Sequence, residues 1–445
     1  MSLPRSTPAE QGVDATGITA FVDALAGTPE VELHSLMVLR HGHVVAEQWW
    51  RPYAPDRPHL LYSLSKSFAS TALGFAVAEG LVDLDATVLS YFPRFDKKIK
   101  DPKSRSIRVR DVAAMASGHT GETIDEAFAA GRGDPLLGFL RLPPEHEPGS
   151  VFAYNQPCTH ALSAIIQQVT GDTLTAFLRT RLFQPLGIER YGWSPDRQGR
   201  DLGFTGLFTT TEAVAKLGQL YLDEGRWQGR KLLPAEWVAE ATRAHVATAG
   251  DDPDWRAGYG FQFWRNREGY RGDGAFGQLM VVLPEADAVV AITSQSHDIP
   301  AVMDALFDHL RPALTAGSGP AGAWPVGSPE LPRPAGPGRA IPTMSYRPAP
   351  DHAVGSLRKI RTRPGRLSVD RLTAPLGEPG GWTGDGPHAT AYAWDGDTLR
   401  IDLIFVETPH RLHLALDPAA GTFAARWQTE PLGRDPFDRL RMPQG

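Results

Sequence analysis

Cysteine is nearly missing from this 445-residue chain. With Cys158 as the single thiol, an internal disulfide framework and most thiolate metal sites are excluded. Lysine is scarce too, only eight among 45 basic residues, so each one merits inspection. No uninterrupted apolar run is long enough to cross a bilayer. The stretch Met1–Glu10 lacks the apolar core of a secretory leader, and a cytoplasmic location is the expectation. Charge of one sign does not dominate: the net charge of -6 gives no electrostatic case for nucleic acid or an anionic membrane as partner. What is present is an ordinary folded composition, 42% hydrophobic and 22% charged. The chain is long enough for two domains.

One of the few lysines stands out. In Ser63-Leu64-Ser65-Lys66 a hydroxyl and an amine lie three residues apart, where an extended segment turns into a helix. Residues i and i+3 share a helix face, so Lys66 can sit beneath the Ser63 oxygen and take its proton. Serine needs such a neighbour before it becomes a useful nucleophile. The run from Ser67 to Ala78 is small and apolar, free of proline, and closed by Gly80. A helix apolar nearly all round belongs at the centre of a domain, and a lysine at its first turn there has a task. A second Ser-x-x-Lys match, Ser356-Leu357-Arg358-Lys359, sits among arginines and prolines with no helical pattern and is set aside.

The pattern around this motif predicts a helix over about Ala15–Ala26, then a hairpin. Its strands are Ser35–Arg40 and Val44–Trp50, joined at His41-Gly42-His43. A mainly helical region follows to about residue 245. Strand patterns return at Gly258–Trp264, Gln278–Leu283 and Ala288–Thr293, before a closing helix over Pro300–Leu310. Strands from both ends flanking a helical middle predict an α+β domain over residues 1–314, with one antiparallel sheet and a helical subdomain. The junction between sheet and helices is the natural cleft. Residues 315–350, rich in Pro, Gly and Ala, read as a semi-stiff linker. Residues 351–445 read as a small all-β domain, barrel or sandwich. Its hairpin signal is Ala391–Trp394, Asp395-Gly396 and Leu399–Val406, continued by Arg411–Leu416 and Thr422–Trp427.

Three further segments accompany the serine motif: Tyr154-Asn155-Gln156 ahead of an apolar helix, Gly203–Glu212, and Gly272-Asp273-Gly274-Ala275-Phe276-Gly277-Gln278. In this order, and with Ser106–His119 between, the chain resembles the penicillin-recognising serine hydrolases over about residues 8–310. These comprise class C β-lactamases, D-Ala-D-Ala carboxypeptidases, and the esterase and 6-aminohexanoate-dimer-hydrolase-like branches. The resemblance implies a β-lactamase/transpeptidase-like fold and an acyl-serine hydrolase needing no cofactor, with a small ester, amide or peptide as partner. It implies Ser63 as nucleophile, and Lys66 with Tyr154 sharing proton transfer, the lysine ammonium stabilising the phenolate. The backbone N–H groups of Ser63 and Ala275 would form the oxyanion hole. Gln156 takes the place of the family's asparagine. With Gly272, Asp273 and Gly274 it is expected to line the substrate site. Gly272 stands where carboxylate-binding members carry a cation, which argues against efficient β-lactamase action. Arg271 is next to it, but strand alternation turns it to the other face.

Two alternatives share these residues: acyl transfer, including release or cyclisation of a peptide thioester, and a ligand-binding protein without turnover. His41-Gly42-His43 and Glu145-His146-Glu147 lack further ligands in a metal-binding pattern, and no metal is expected. Cys158 reads as a small buried apolar residue. The aromatic cluster Tyr259, Phe261, Phe263 and Trp264 is expected to divide between core and cleft.

Overall fold

A computed structural model describes residues 2–317, 324, 327, 329–350, 352–433 and 436–443. A six-stranded antiparallel sheet organises the first part of the chain. Its order is His43–Trp49, Val31–Arg40, Ala288–Ser296, Gln278–Leu283, Tyr270–Gly274 and Trp264–Arg265. The strand from the amino-terminal hairpin thus pairs with one about 250 residues later, Arg40 opposite Ala288 at one end. His41, at φ 50, and Gly42, at φ 73, form the tight turn of that hairpin. The central strands read as continuous apolar runs because both faces are covered. Leu36, Val38, Leu279, Val281, Val290 and Ile292 pack under the helices Ala15–Ala26 and Ile299–Ala305. Met37, Leu39, Met280, Val282, Val289 and Ala291 face the helical region instead.

The helix Ser65–Ala78 runs through that region with every residue from Ser65 to Ala76 buried. Gly80, at φ 71, ends it in the left-handed conformation its sequence suggested. Ser63 lies just ahead, in the 3-10 turn Tyr62–Leu64. A small sheet of His59–Leu60, Leu207–Thr209 and Tyr191–Trp193 carries the chain into this turn.

The carboxy-terminal part is an eight-stranded sheet around its own core. Its two edge strands, Leu372–Leu376 and His388–Asp395, meet where the Thr390 hydroxyl donates to the Pro375 carbonyl at 2.6 Å. The sheet is therefore a nearly closed barrel.

Three expectations differ from the structure. Gly258–Trp264 is not a strand; only Trp264–Arg265 is. Gln262, at φ 67, turns its side chain inward. There it accepts from Thr159 at 2.5 Å and donates to the Val112 and Ala113 carbonyls at 3.3 and 2.8 Å. The stretch read as linker includes the strand Met344–Pro348, and Trp324 and Leu331 are buried in it. Around Leu331 the chain is held to the first domain by Arg51 N–H to Pro329 O, 2.7 Å, and Leu331 N–H to Arg51 O, 2.9 Å. Part of that linker reading, residues 318–323, 325, 326 and 328, lies outside the described residues. The closing helix Ile299–Ala305 passes at Leu306–Leu310 into a wider π-helical turn.

Between the two parts, buried Arg411 places both Glu32 oxygens 2.9 Å from one guanidinium nitrogen. Removing one partner of a buried pair strands the other charge, which costs about 3–5 kcal/mol. Arg411→Met is therefore expected to lower the melting temperature clearly, and adding Glu32→Gln to recover part of the loss. Thermal unfolding followed by circular dichroism checks both; equal melting of Arg411→Met and the parent would contradict it.

Candidate active site

Lys66 is buried, and its ammonium is surrounded by three acceptors. Nζ lies 2.8 Å from Ser63 Oγ, 2.6 Å from Gln156 Oε1 and 2.9 Å from the Phe204 carbonyl. Two of these oxygens are carbonyls and can only accept, so each claims an N–H. The remaining position on the nitrogen points at the one partner that can also donate, the Ser63 hydroxyl. A neutral Lys66 therefore presents its lone pair to Ser63. Burial lowers the lysine from its ordinary 10.5 to about 7, against the opposing pull of Glu122, Asp273 and Cys158. An amine at that value is poised between donor and acceptor near neutrality.

Tyr154 lies on the loop before the helix Gln156–Thr170, with its ring centre 4.7 Å from Lys66 Nζ. It stacks on Trp264 at 5.6 Å and meets Tyr259 edge-on at 6.1 Å. Burial among these rings pushes the phenol above its ordinary 10, while its hydrogen bond with Ser63 pulls it back in part. The expected phenolate is thus disfavoured: desolvation prevails, and the Lys66 protons are directed elsewhere. Desolvation therefore favours the protonated phenol, within hydrogen-bonding reach of Ser63. Phe261 and Phe263 pack instead in the core, against Trp237 and Tyr221. Cys158 is fully buried, its thiol pushed up to about 12 by desolvation.

The strand Tyr270–Gly274 lies flush against the serine turn, and its glycines explain how. A Cβ at Gly272 would meet Leu64 Cδ1 at 2.4 Å and Ser67 Oγ at 2.6 Å; one at Gly274 would meet the Leu61 carbonyl at 2.1 Å. Both positions face the serine turn and its helix, so they set the strand's approach and do not line a substrate site as expected. Asp273, on the alternate side, is bound by Arg271 at 2.8 Å, and its charge acts on both Lys66 and Tyr154. Arg271 is fully buried, held also by Asn266 and the Asp254 carbonyl and laid over Trp255. Alternation does turn it away from the serine.

Ala275 follows in the turn to Gln278. Neither its backbone N–H nor that of Ser63 has a protein acceptor among the described residues. Each adjoins a residue in the left-handed region, Tyr62 at φ 48 and Phe276 at φ 65. Such backbone costs of order 1–3 kcal/mol per residue and persists only where its surroundings enforce it. Gln156, expected to contact substrate, is occupied with Lys66, while its own N–H donates to the Glu122 carboxylate at 3.1 Å.

Sequence reasoning missed the Phe204 carbonyl and Glu122. The flanking Gly203 and Gly206, at φ 78 and 87, were the available signal for the first. A glutamate in a polar loop gave none for the second.

A family model described as beta-lactamase matches residues 20–313. The 6-aminohexanoate-dimer hydrolase of Paenarthrobacter ureafaciens is 27% identical over 317 residues, covering 66% of this chain and 80% of that protein. Among solved structures, the octameric penicillin-binding protein homologue from Pyrococcus abyssi superposes with a TM-score of 0.52 at 17% identity. That likeness covers 89% of this chain and 97% of the other. EstCE1, a hydrolase with promiscuous acyltransferase activity, gives a TM-score of 0.55 at 17% identity over 67% of this chain and 98% of its own. These structural likenesses are likenesses of fold. The family match spans the serine turn, the Tyr154 loop and the glycine-bearing strand alike, and the chain belongs to the beta-lactamase family.

Proposed function

We propose that the protein is a serine hydrolase cleaving ester or amide bonds of small molecules or short peptides through a covalent acyl-enzyme on Ser63. The observation that carries this reading is the 2.8 Å contact between the Ser63 hydroxyl and a buried amine titrating near neutrality. Neutral Lys66 takes the hydroxyl proton as Oγ bonds to the carbonyl carbon. The resulting oxyanion receives the N–H groups of Ser63 and Ala275. When the intermediate collapses, the bond to the leaving group breaks and that group takes the Tyr154 proton, which the Lys66 ammonium replaces. Water then attacks the ester, gives its proton to the same pair, and the acid leaves as Ser63 Oγ is reprotonated. The 6-aminohexanoate-dimer hydrolase among the relatives supports linear amides as one substrate class.

Charge narrows the substrate further. Asp273 and Glu122 both act on Lys66, Arg271 is committed to Asp273, and Gly272 offers no cation. Among the described residues a free carboxylate near the scissile bond meets no dedicated partner, which favours neutral esters and amides over penicillins.

Three outcomes follow from this mechanism. A fluorophosphonate should add its mass to Ser63, and Ser63→Ala should lower kcat/KM for a p-nitrophenyl ester about 10⁴-fold; turnover with Ser63 unmodified rejects the assignment. Because the neutral amine is the base, kcat/KM should rise with pH through about 7 and then level off. Lys66→Arg, which cannot lose its proton, should abolish that limb of the pH profile with the activity. Finally, a methyl ester placed where a penicillin-like substrate has its carboxylate should be cleaved at least about tenfold faster than the free acid, a difference of about 1.4 kcal/mol. Faster cleavage of the acid contradicts the charge argument.

A further inference from the structure

The carboxy-terminal barrel sends one turn into the first domain, and that turn ends beside the serine. It links the strands Thr398–Phe405 and Arg411–Asp417. Leu60 N–H donates to the Glu407 carbonyl at 2.7 Å, the Tyr53 hydroxyl donates to the Thr408 carbonyl at 2.9 Å, and Arg411 holds Glu32. At its tip, His410 Nε2 lies 2.6 Å from the hydroxyl of Tyr62.

The histidine's other nitrogen fixes the direction of that bond. His410 Nδ1 lies 3.0 Å from the Thr429 carbonyl, which can only accept, so Nδ1 carries the hydrogen. Burial lowers the imidazole to about 4, so the ring is neutral at ordinary pH and Nε2 is an acceptor. Tyr62 therefore donates to His410. The ring of Phe276 completes a triangle: 5.3 Å from Tyr62 and 5.7 Å from His410, with Tyr62 and His410 5.9 Å apart, all edge-on. Phe276 is braced on another side by His297, which lies 3.3 Å from the Thr429 hydroxyl.

The two first-domain members of this triangle are the two left-handed residues that flank the free N–H groups. Tyr62 shares a peptide plane with the Ser63 N–H, and its backbone angles set where that donor points. Phe276 closes the turn that orients the Ala275 N–H. Neither residue has an intrinsic preference for this conformation. We propose that His410 is a positioning residue for catalysis: by holding Tyr62 and Phe276 in place, the carboxy-terminal barrel aligns the two donors of the oxyanion hole. The inference rests on the acyl-serine reading given above.

It predicts a loss of turnover without a comparable loss of binding or of proton transfer. A donor shifted by a fraction of its bond length costs about 10–100-fold in rate. The experiment compares the full-length protein with His410→Ala, His410→Gln and Tyr62→Phe. Sites are counted by exhaustive fluorophosphonate labelling of Ser63, and kcat per labelled site, KM and the pH profile are measured on a p-nitrophenyl ester. The expected result is kcat lower by about 10–100-fold in His410→Ala and Tyr62→Phe, with KM within about threefold and the rise through pH 7 in place. His410→Gln, which keeps an acceptor near Nε2, should recover most of the rate. The effects of His410→Ala and Tyr62→Phe should also not add, because both remove the same bond. A merely structural role lowers the labelled fraction or the melting temperature and leaves kcat per site unchanged; that result overturns the proposal. If His410→Ala does not fold, Tyr62→Phe, which keeps the ring packing, decides alone: full kcat per site rejects the role. Failure of the parent protein to label at Ser63 would instead remove the acyl-serine reading, so the two failures are distinct.

Discussion

An amine taken out of water is the constraint around which this site is arranged. Lys66 loses hydration worth several kcal/mol in its charged form, and three oxygens restore only part of it. The balance is a nitrogen that holds or releases its proton near neutrality. Identity of the acceptors matters as much as their number. The Gln156 and Phe204 oxygens cannot give a proton, so the hydrogen-bond rearrangement that follows a change in protonation falls on Ser63. Elements far apart in sequence have to converge for this to hold: the serine helix, the start of the Gln156–Thr170 helix and the glycine-flanked Phe204 loop. The buried helix supplies the low-dielectric setting, and Gly272 and Gly274 let the neighbouring strand close against it.

Local pattern explains which parts of this were legible beforehand. Ser63 and Lys66 were readable because their spacing is that of a helix face and the residues after them admit only a buried helix. The two hairpins were readable because alternation and turn residues coincide at His41-Gly42 and around Gly396. The α+β architecture followed from strands at both ends of a helical middle. Where the reading failed, the deciding contact was long-range or made by the backbone. The Phe204 carbonyl belongs to a residue whose side chain says nothing about its role. Gln262 breaks an apparent strand because carbonyls at Val112 and Ala113, about 150 residues away, need its amide. The strands between Met344 and Leu376 escaped notice because arginine and proline fill their exposed positions, masking a buried alternation at Ile360, Thr362, Leu367 and Val369. Gln156 was assigned to the substrate, yet its side-chain oxygen is taken up by Lys66 at 2.6 Å.

The barrel carries no catalytic constellation among its described residues, yet it reaches the serine turn through His410. Its own core is separate from that of the sheet domain. Its attachment combines apolar packing of Tyr53 with Ala389, Ile404 and Val406 and buried polar contacts: the Arg411–Glu32 ion pair, the Leu60 N–H bond to Glu407, and the hydroxyls of Tyr53 and Tyr62. Such groups are costly to leave unpaired, so they tolerate one docking geometry and few others.

The contact between Tyr62 and His410 spans 348 residues of chain. During synthesis the serine turn emerges well ahead of the imidazole that meets Tyr62 and of the Thr429 carbonyl that orients this imidazole. A nascent polypeptide would thus carry its serine turn long before the frame around it can close, and any rate that depends on that frame would appear only once the barrel has folded.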